Sequence, residues 1–234
     1  MKIKKYTTNP DEIAGCIHSL KAPDTGNELM SSIYLEIGEK GHRATALDGY
    51  RISVRESLNG CSVDHRLVLN GEMVQEIIRL AGNEEITIET DEDVILARTE
   101  NMCFFSSVNK QKYFNTDMFL SENTFPITVE CARQELLDAI NVASLIQEYV
   151  DLKTEEDGIV LSNQSTSGFR STMKIASVVT GKGLDIRFNS RFMLESLKSI
   201  PDDMITVGFF SAVRPFYIIG DGYKEVVLPV AKRS

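Results

Sequence analysis

This 234-residue chain is poor in the side chains that carry most chemistry. Its four cysteines (Cys16, Cys61, Cys103, Cys131) form no CxxC pair, and its three histidines (His18, His42, His65) stand without ligand spacing. The common zinc patterns are therefore missing, and the cysteines read as buried or incidental thiols in a reducing cytosol. No apolar run approaches the roughly 20 residues that a membrane-spanning helix needs. The basic start, Met1-Lys-Ile-Lys-Lys5, is not followed by the apolar stretch of a secretion signal. The expectation is a soluble, cytoplasmic protein that needs no metal, cofactor or disulfide. Cations are scarce as well: 25 Lys and Arg face 34 Asp and Glu, a net charge of -9. Binding to phosphate needs clustered cations, so this balance argues against general affinity for nucleic acid unless the basic residues gather on one face.

Catalytic signatures are missing too. There is no P-loop, GxSxG or HExxH, and Gly220-Asp-Gly222 lacks the helix that a phosphate cradle requires. Carboxylates do cluster at Glu84-Glu85, Asp202-Asp203 and Glu155-Glu156-Asp157, but the first two pairs follow helical patterns as polar stop signals. Asp48-Gly49 and Asp221-Gly222 likewise read as turns. The chain is not expected to be an enzyme.

What the chain has instead is a repeat. The segment 70–88, NGEMVQEIIRLAGNEEITI, returns as 189–207, NSRFMLESLKSIPDDMITV, at a constant offset of 119 residues. Asn70 answers Asn189, Glu76 answers Glu195, and Ile86-Thr87 answers Ile205-Thr206. A period of this length suits a whole domain rather than a solenoid repeat. In each copy a helical pattern precedes strands, a second helix and more strands. Residues 9–20 place Ile13, Cys16, Ile17 and Leu20 on one face behind Asn9-Pro10, a cap followed by a proline at the first helical position. The matching helix holds Leu136, Leu137, Ile140 and Ala143. Gly38-Glu-Lys-Gly41 and Asp48-Gly-Tyr50 supply hairpin turns between strands at 33–37, 43–47 and 51–55. The second helix, 70–81, should bury Met73, Val74, Ile77 and Ile78, and its counterpart spans 190–200. Each helix carries one apolar stripe, so each packs on a sheet with its other face exposed. The fold class is α+β: two-layer domains in tandem, antiparallel sheets with helices on one face. The expected domains are 1–122, including a linker at 109–122, and 123–234.

Four stretches carry a resemblance. Arg43-Ala-Thr-Ala-Leu-Asp-Gly-Tyr-Arg-Ile-Ser53 resembles the ATDGHRL hairpin of the bacterial DNA polymerase III beta subunit family, the sliding clamps. Tyr113-Phe-Asn-Thr-Asp-Met-Phe-Leu120 is similar to that family's FPDYRRVL linker, Phe188-Asn-Ser-Arg-Phe-Met-Leu-Glu-Ser-Leu-Lys198 to its FNxxYLLDALK helix, and Glu225-Val-Val-Leu-Pro-Val230 to its terminal VVMPMR strand. The four occur in the family's order and cover its second and third domains. The first domain is absent, and the start reads as a natural one, so the expectation is a short clamp rather than a fragment.

The resemblance implies a tandem clamp-domain fold and a ring of six such domains around duplex DNA, without sequence preference. Two domains per chain then call for a homotrimer joined head to tail. It also implies a hydrophobic pocket between the domains that accepts short peptides from DNA polymerase and clamp-loader subunits. Carried over, the pocket wall is Met30, Leu47, Gly49, Tyr50, Arg51 and Ile52, with Met118 and Phe119 from the linker and Val226, Val227, Leu228, Pro229 and Val230 from the last strand. Alternate residues of that strand should face away from a peptide. Leu47, Tyr50 and Met118 replace the family's threonine, histidine and arginine, which makes the pocket greasier, and the tail Ala231-Lys-Arg-Ser234 could partly cover it. The DNA-facing candidates are Lys21, Arg79, Arg133, Arg191 and Lys198, interspersed with Glu72, Glu76, Asp138 and Glu195; taken alone this is a mixed, solvated helix exterior. Gly71 and Glu72 stand where the family often has basic residues. The competing expectation is a clamp-derived peptide-binding module that never encircles DNA.

Overall fold

The computed structural model describes residues 4–20, 26–60, 64–91, 93–181 and 183–232, and the chain falls into two units, Met1–Asn115 and Thr116–Ser234. In the first unit the elements run β1 (Lys4–Thr8), α1 (Asp11–Ala14), β2 (Ser32–Gly38), β3 (Gly41–Leu47), β4 (Arg51–Ser57), β5 (His65–Asn70), α2 (Gly71–Ala81), β6 (Ile86–Thr90), β7 (Val94–Arg98) and β8 (Cys103–Ser107). Its strands lie in the antiparallel orders β1-β6-β7-β8 and β4-β3-β2-β5. The second unit comprises α3 (Asp117–Leu120), β9 (Ile127–Ala132), α4 (Arg133–Ser144), β10 (Tyr149–Glu155), β11 (Gly158–Gln164), β12 (Arg170–Ala176), β13 (Val178–Thr180), β14 (Asp185–Asn189), α5 (Ser190–Ser199), β15 (Met204–Phe209), β16 (Phe216–Gly220) and β17 (Tyr223–Val227). Here the orders are β9-β15-β16-β17 and β12-β11-β10-β14, with the short β13 added beside β9. Matched position by position, the two units share one topology.

The repeat shows its physical reason at the strand-to-helix junctions. A helix start leaves backbone N–H groups without partners, and an asparagine at the cap satisfies one of them. The Asn70 side chain accepts from the Met73 N–H at 3.0 Å, opening α2, and the Asn189 side chain accepts from the Arg191 N–H at 2.9 Å, opening α5. The helices stop differently. Gly82 takes a positive φ of 57° and its N–H closes on the Ile78 carbonyl. At the end of α5, Pro201 drives Ile200 into an extended conformation.

Each unit has its own core. In the first, Val74, Ile77 and Ala81 of α2 pack with Leu35, Leu67, Leu69, Ile86, Ile88 and Ile95, while Met73 and Ile78 sit at its margin, only partly buried. In the second, α4 buries Leu136, Leu137, Ile140 and Ala143, as its spacing indicated, and α5 adds Met193 and Leu197.

Two regions depart from the sequence reading. The helix expected over 9–20 is one turn, α1, followed by a single 3-10 turn at Ile17–Ser19. Gly15, a poor helix former, ends α1, yet Ile13 and Cys16 are still buried. Asn9 is not the side-chain cap. Instead the Glu12 carboxylate reaches back, accepting from the Asn9 N–H at 3.2 Å, Thr8 Oγ1 at 2.8 Å, Ser57 Oγ at 2.8 Å and Asn59 Nδ2 at 2.7 Å. Burial alone would raise the Glu12 pKa, but these hydrogen bonds outweigh it and hold the carboxyl below its ordinary value.

The second departure is the linker. The division between units falls inside it, between Asn115 and Thr116. Tyr113 belongs to the first unit, buried and stacked on Tyr34 with ring centroids 4.9 Å apart. Residues beyond Thr116 are tied to the second, where Lys224 Nζ donates to the Leu120 carbonyl at 2.8 Å and to Asn123 Oδ1 at 2.7 Å.

The two caps should not be equal. Asn70→Ala removes one capping bond and is expected to cost about 1 kcal/mol. Asn189 also donates to Glu148 Oε1 at 2.6 Å, so Asn189→Ala should cost roughly 2 kcal/mol. Urea unfolding measures both; equal losses would mean that the Glu148 bond contributes nothing.

Candidate functional site

The turn between β3 and β4 is built around one carboxylate. Gly49 adopts φ of 93°, which lets Asp48-Gly49-Tyr50 reverse the chain. Asp48 Oδ1 then accepts from the Tyr50 N–H at 2.9 Å and the Arg51 N–H at 3.1 Å, and Oδ2 accepts from Arg51 Nε at 3.0 Å. The same guanidinium donates to the His18 carbonyl. Arg51 is 3% exposed. The sequence analysis placed Arg51 in the pocket wall; its buried guanidinium holds the turn through Asp48 and the His18 carbonyl. The missed signal was Arg51 three residues after Asp48, the spacing at which an aspartate that caps a turn also meets a basic side chain.

The other candidates of the first unit sort by depth. Tyr50 is 58% exposed and Gly49 is also at the surface, whereas Leu47 is buried. Met30 and Ile52 are partly buried, packed against a small cluster of Leu47, Val68 and Tyr113. In the second unit Met118, on α3, is 69% exposed, and Phe119 is half-buried. Burial does not alternate along the last strand: Glu225, Val226 and Val227 are all buried, and Val227 lies in the core of its unit. Val226 and Val227 therefore offer no side-chain surface to a docking partner. Leu228, 41% exposed, follows the strand, with Pro229 and Val230 half-buried beside it.

The helix cations are largely occupied. Arg79 donates to Glu76 at 2.6 and 3.1 Å, and Arg191 donates to Glu195 at 3.0 Å, each within its own helix. The Glu76 carboxyl is held below its usual value by its hydrogen bond from Arg79. Arg133 is half-buried and structural: its Nε donates to the Asp202 carbonyl at 2.8 Å and its backbone N–H to the Asp203 carbonyl at 2.8 Å, joining the start of α4 to the turn before β15. Lys198 is exposed in the last turn of α5. Lys21 lies outside the described residues. The carboxylate pairs serve turns: Asp202 Oδ2 accepts from the Asp221 N–H at 3.1 Å, and Glu84 Oε1 accepts from Asn101 Nδ2 at 3.1 Å.

Comparison with known proteins gives a consistent set of relatives. Residues 121–231 match the family described as DNA polymerase III beta subunit, C-terminal domain. The beta sliding clamp of Staphylococcus aureus is 30% identical over 216 residues, which is 86% of this chain and 56% of that protein. That of Staphylococcus epidermidis is 29% identical over 200 residues, 80% of this chain and 52% of the relative. Among solved structures, a putative DNA polymerase III beta subunit from Eubacterium rectale matches with a TM-score of 0.90 at 25% identity, over 97% of this chain and 65% of that one. A DNA polymerase sliding clamp from Pseudomonas aeruginosa matches at TM-score 0.89 and 16% identity, over 97% of this chain and 67% of that one, and shows the shared fold. The chain spans about half the length of the curated relatives it matches.

The turn yields a direct test. Asp48→Ala strands a buried guanidinium and two turn N–H groups, and should destabilise the protein by about 3 kcal/mol, the range for breaking one side of a buried ion pair. Tyr50→Ala, at an exposed position, should stay within roughly 0.5 kcal/mol of the parent. Chemical denaturation of the two variants side by side decides whether Asp48 holds the site.

Proposed function

From a chain that belongs to the DNA polymerase III beta clamp family we infer a sliding clamp of DNA replication: a non-catalytic, cytoplasmic ring that encircles duplex DNA and docks polymerase and clamp-loader peptides. The observation that carries this reading is the tandem repeat of one two-sheet unit with one strand order. Clamps of this family close as six such units, so three copies of this chain complete a ring. Head-to-tail contact closes a ring when its rotation does. The sheet ends support such contact: β8 and β12 are terminal strands of their sheets, and Phe105 on β8 is 72% exposed. An antiparallel edge with an exposed aromatic invites pairing with another strand.

DNA is then held by enclosure. With Arg79 and Arg191 paired to acids and Arg133 bound to backbone carbonyls, each chain neutralises few phosphates. The docking surface we assign to Tyr50 and Met118, the most exposed apolar candidates, with Leu228, Pro229 and Val230 and the half-buried Met30, Ile52 and Phe119. The same paired cations favour one competing reading, a clamp-derived peptide-binding module that forms no ring on DNA.

Light scattering separates the two. The expected mass is that of three chains, steady across protein concentration, and a concentration-independent monomer would overturn the ring. Once loaded on closed circular duplex, the trimer should persist through salt that abolishes its weak binding to short linear duplex, where Kd should lie at or above ~10⁻⁴ to 10⁻⁶ M. Equal dissociation from both would reject enclosure.

Docking has its own measurement. A fluorescein-labelled hexapeptide carrying two leucines and a phenylalanine should bind with roughly micromolar affinity. Leu228→Ala should weaken it by about 2 kcal/mol, as for an interface anchor, and unchanged anisotropy titrations would exclude Leu228 from the site.

A further inference from the structure

The residues after β17 do not trail away. The Val230 N–H donates to the Arg187 carbonyl on β14 at 2.7 Å. Two residues on, Lys232 Nζ lies 3.1 Å from Asp151 Oδ1 and also contacts Asp185 Oδ1. Asp151 and Arg187 face each other across β10 and β14, where Arg187 Nε and Nη2 bind the two Asp151 oxygens at 3.0 and 2.8 Å. Lys153 Nζ completes the group, 3.5 Å from Asp185 Oδ2. The charges that face Lys232 are thus Asp151 and Asp185, with Arg187 and Lys153 behind them.

We propose that Lys232 is an electrostatic latch that holds residues 228–232 against β14 and so positions Leu228, Pro229 and Val230 for docking a peptide. This rests on the docking surface assigned above. Lys232 is a positioning residue, acting through the backbone it anchors. Without it the remaining charges still balance, Asp151 with Arg187 and Asp185 with Lys153, so the unit beneath has no reason to unfold. The latch side chain is part-exposed, which leaves it open to screening by salt.

The test combines amide exchange at Val230 with anisotropy of the labelled hexapeptide, in wild type, Lys232→Ala, Lys232→Glu and Lys232→Arg. Lys232→Glu places a third acid beside Asp151 and Asp185, so Val230 exchange should accelerate about tenfold or more as the tail opens locally. Peptide affinity should fall roughly five- to tenfold as the anchor loses its fixed position. Lys232→Ala should show a smaller change in the same direction, Lys232→Arg should restore both readouts, and raised salt should move wild type towards the alanine variant. Val230 exchange that is unchanged in Lys232→Glu overturns the latch. Faster exchange with unchanged peptide affinity overturns its positioning role alone. A wild-type chain that binds no such peptide removes the docking surface, and this proposal with it, while leaving the Val230 exchange result to show that the failure lies in the docking surface.

Discussion

Every long helix in this protein has one apolar stripe, and that stripe must be buried against a sheet for the helix to persist. Helices of this length gain little from their own hydrogen bonds in water, so packing decides whether they form. The constraint is met the same way in both units: a strand ends at an asparagine, the asparagine caps a helix, and the helix lies over strands that supply Ile, Leu and Val. Because one face is spent on the core, the other is left to solvent. Under the proposed clamp function, these exposed helix faces form the surface that stands near DNA.

That surface is not strongly basic, and the reason is local. Arg79 and Arg191 each have a glutamate within one helical turn, and Arg133 is drawn into the backbone of the turn before β15. Intrahelical ion pairs stabilise a helix modestly and cancel its field at the distance of a phosphate. In the proposed ring, DNA is held by enclosure rather than by grip, which puts the weight of that function on the contacts between copies.

The apolar surface follows a similar economy. Arg51 secures the turn that carries Tyr50, and in the proposed latch Lys232 secures the segment that carries Leu228. In both places a cation is bound to acids of its own chain, Arg51 to Asp48 and Lys232 to Asp151 and Asp185. Preorganised apolar groups bind short peptides at lower entropic cost than mobile ones, which is how the proposed latch would favour docking.

The residue pattern alone determined the repeat and the fold class, because Asn70 with Asn189, the single stripes of α2 and α4, and the glycine turns are local features whose physics is local. It also identified Asp48-Gly49 as a turn. Tertiary structure decided the rest. Arg51 looked like a binding cation until its burial against Asp48 and the His18 carbonyl was visible, since burial depends on what packs over a residue from afar. Val226 and Val227 sit on alternate positions of β17, yet both are buried, because burial depends on the elements packed over each face. The helix over 9–20 broke because Gly15 sits within it and Glu12 turns back to serve Asn9, Ser57 and Asn59, two of them far along the chain. Lys232 was expected in a tail that could partly cover the pocket, and only the fold brought Asp151 and Asp185, which are distant in sequence, to the place where its ammonium group ends.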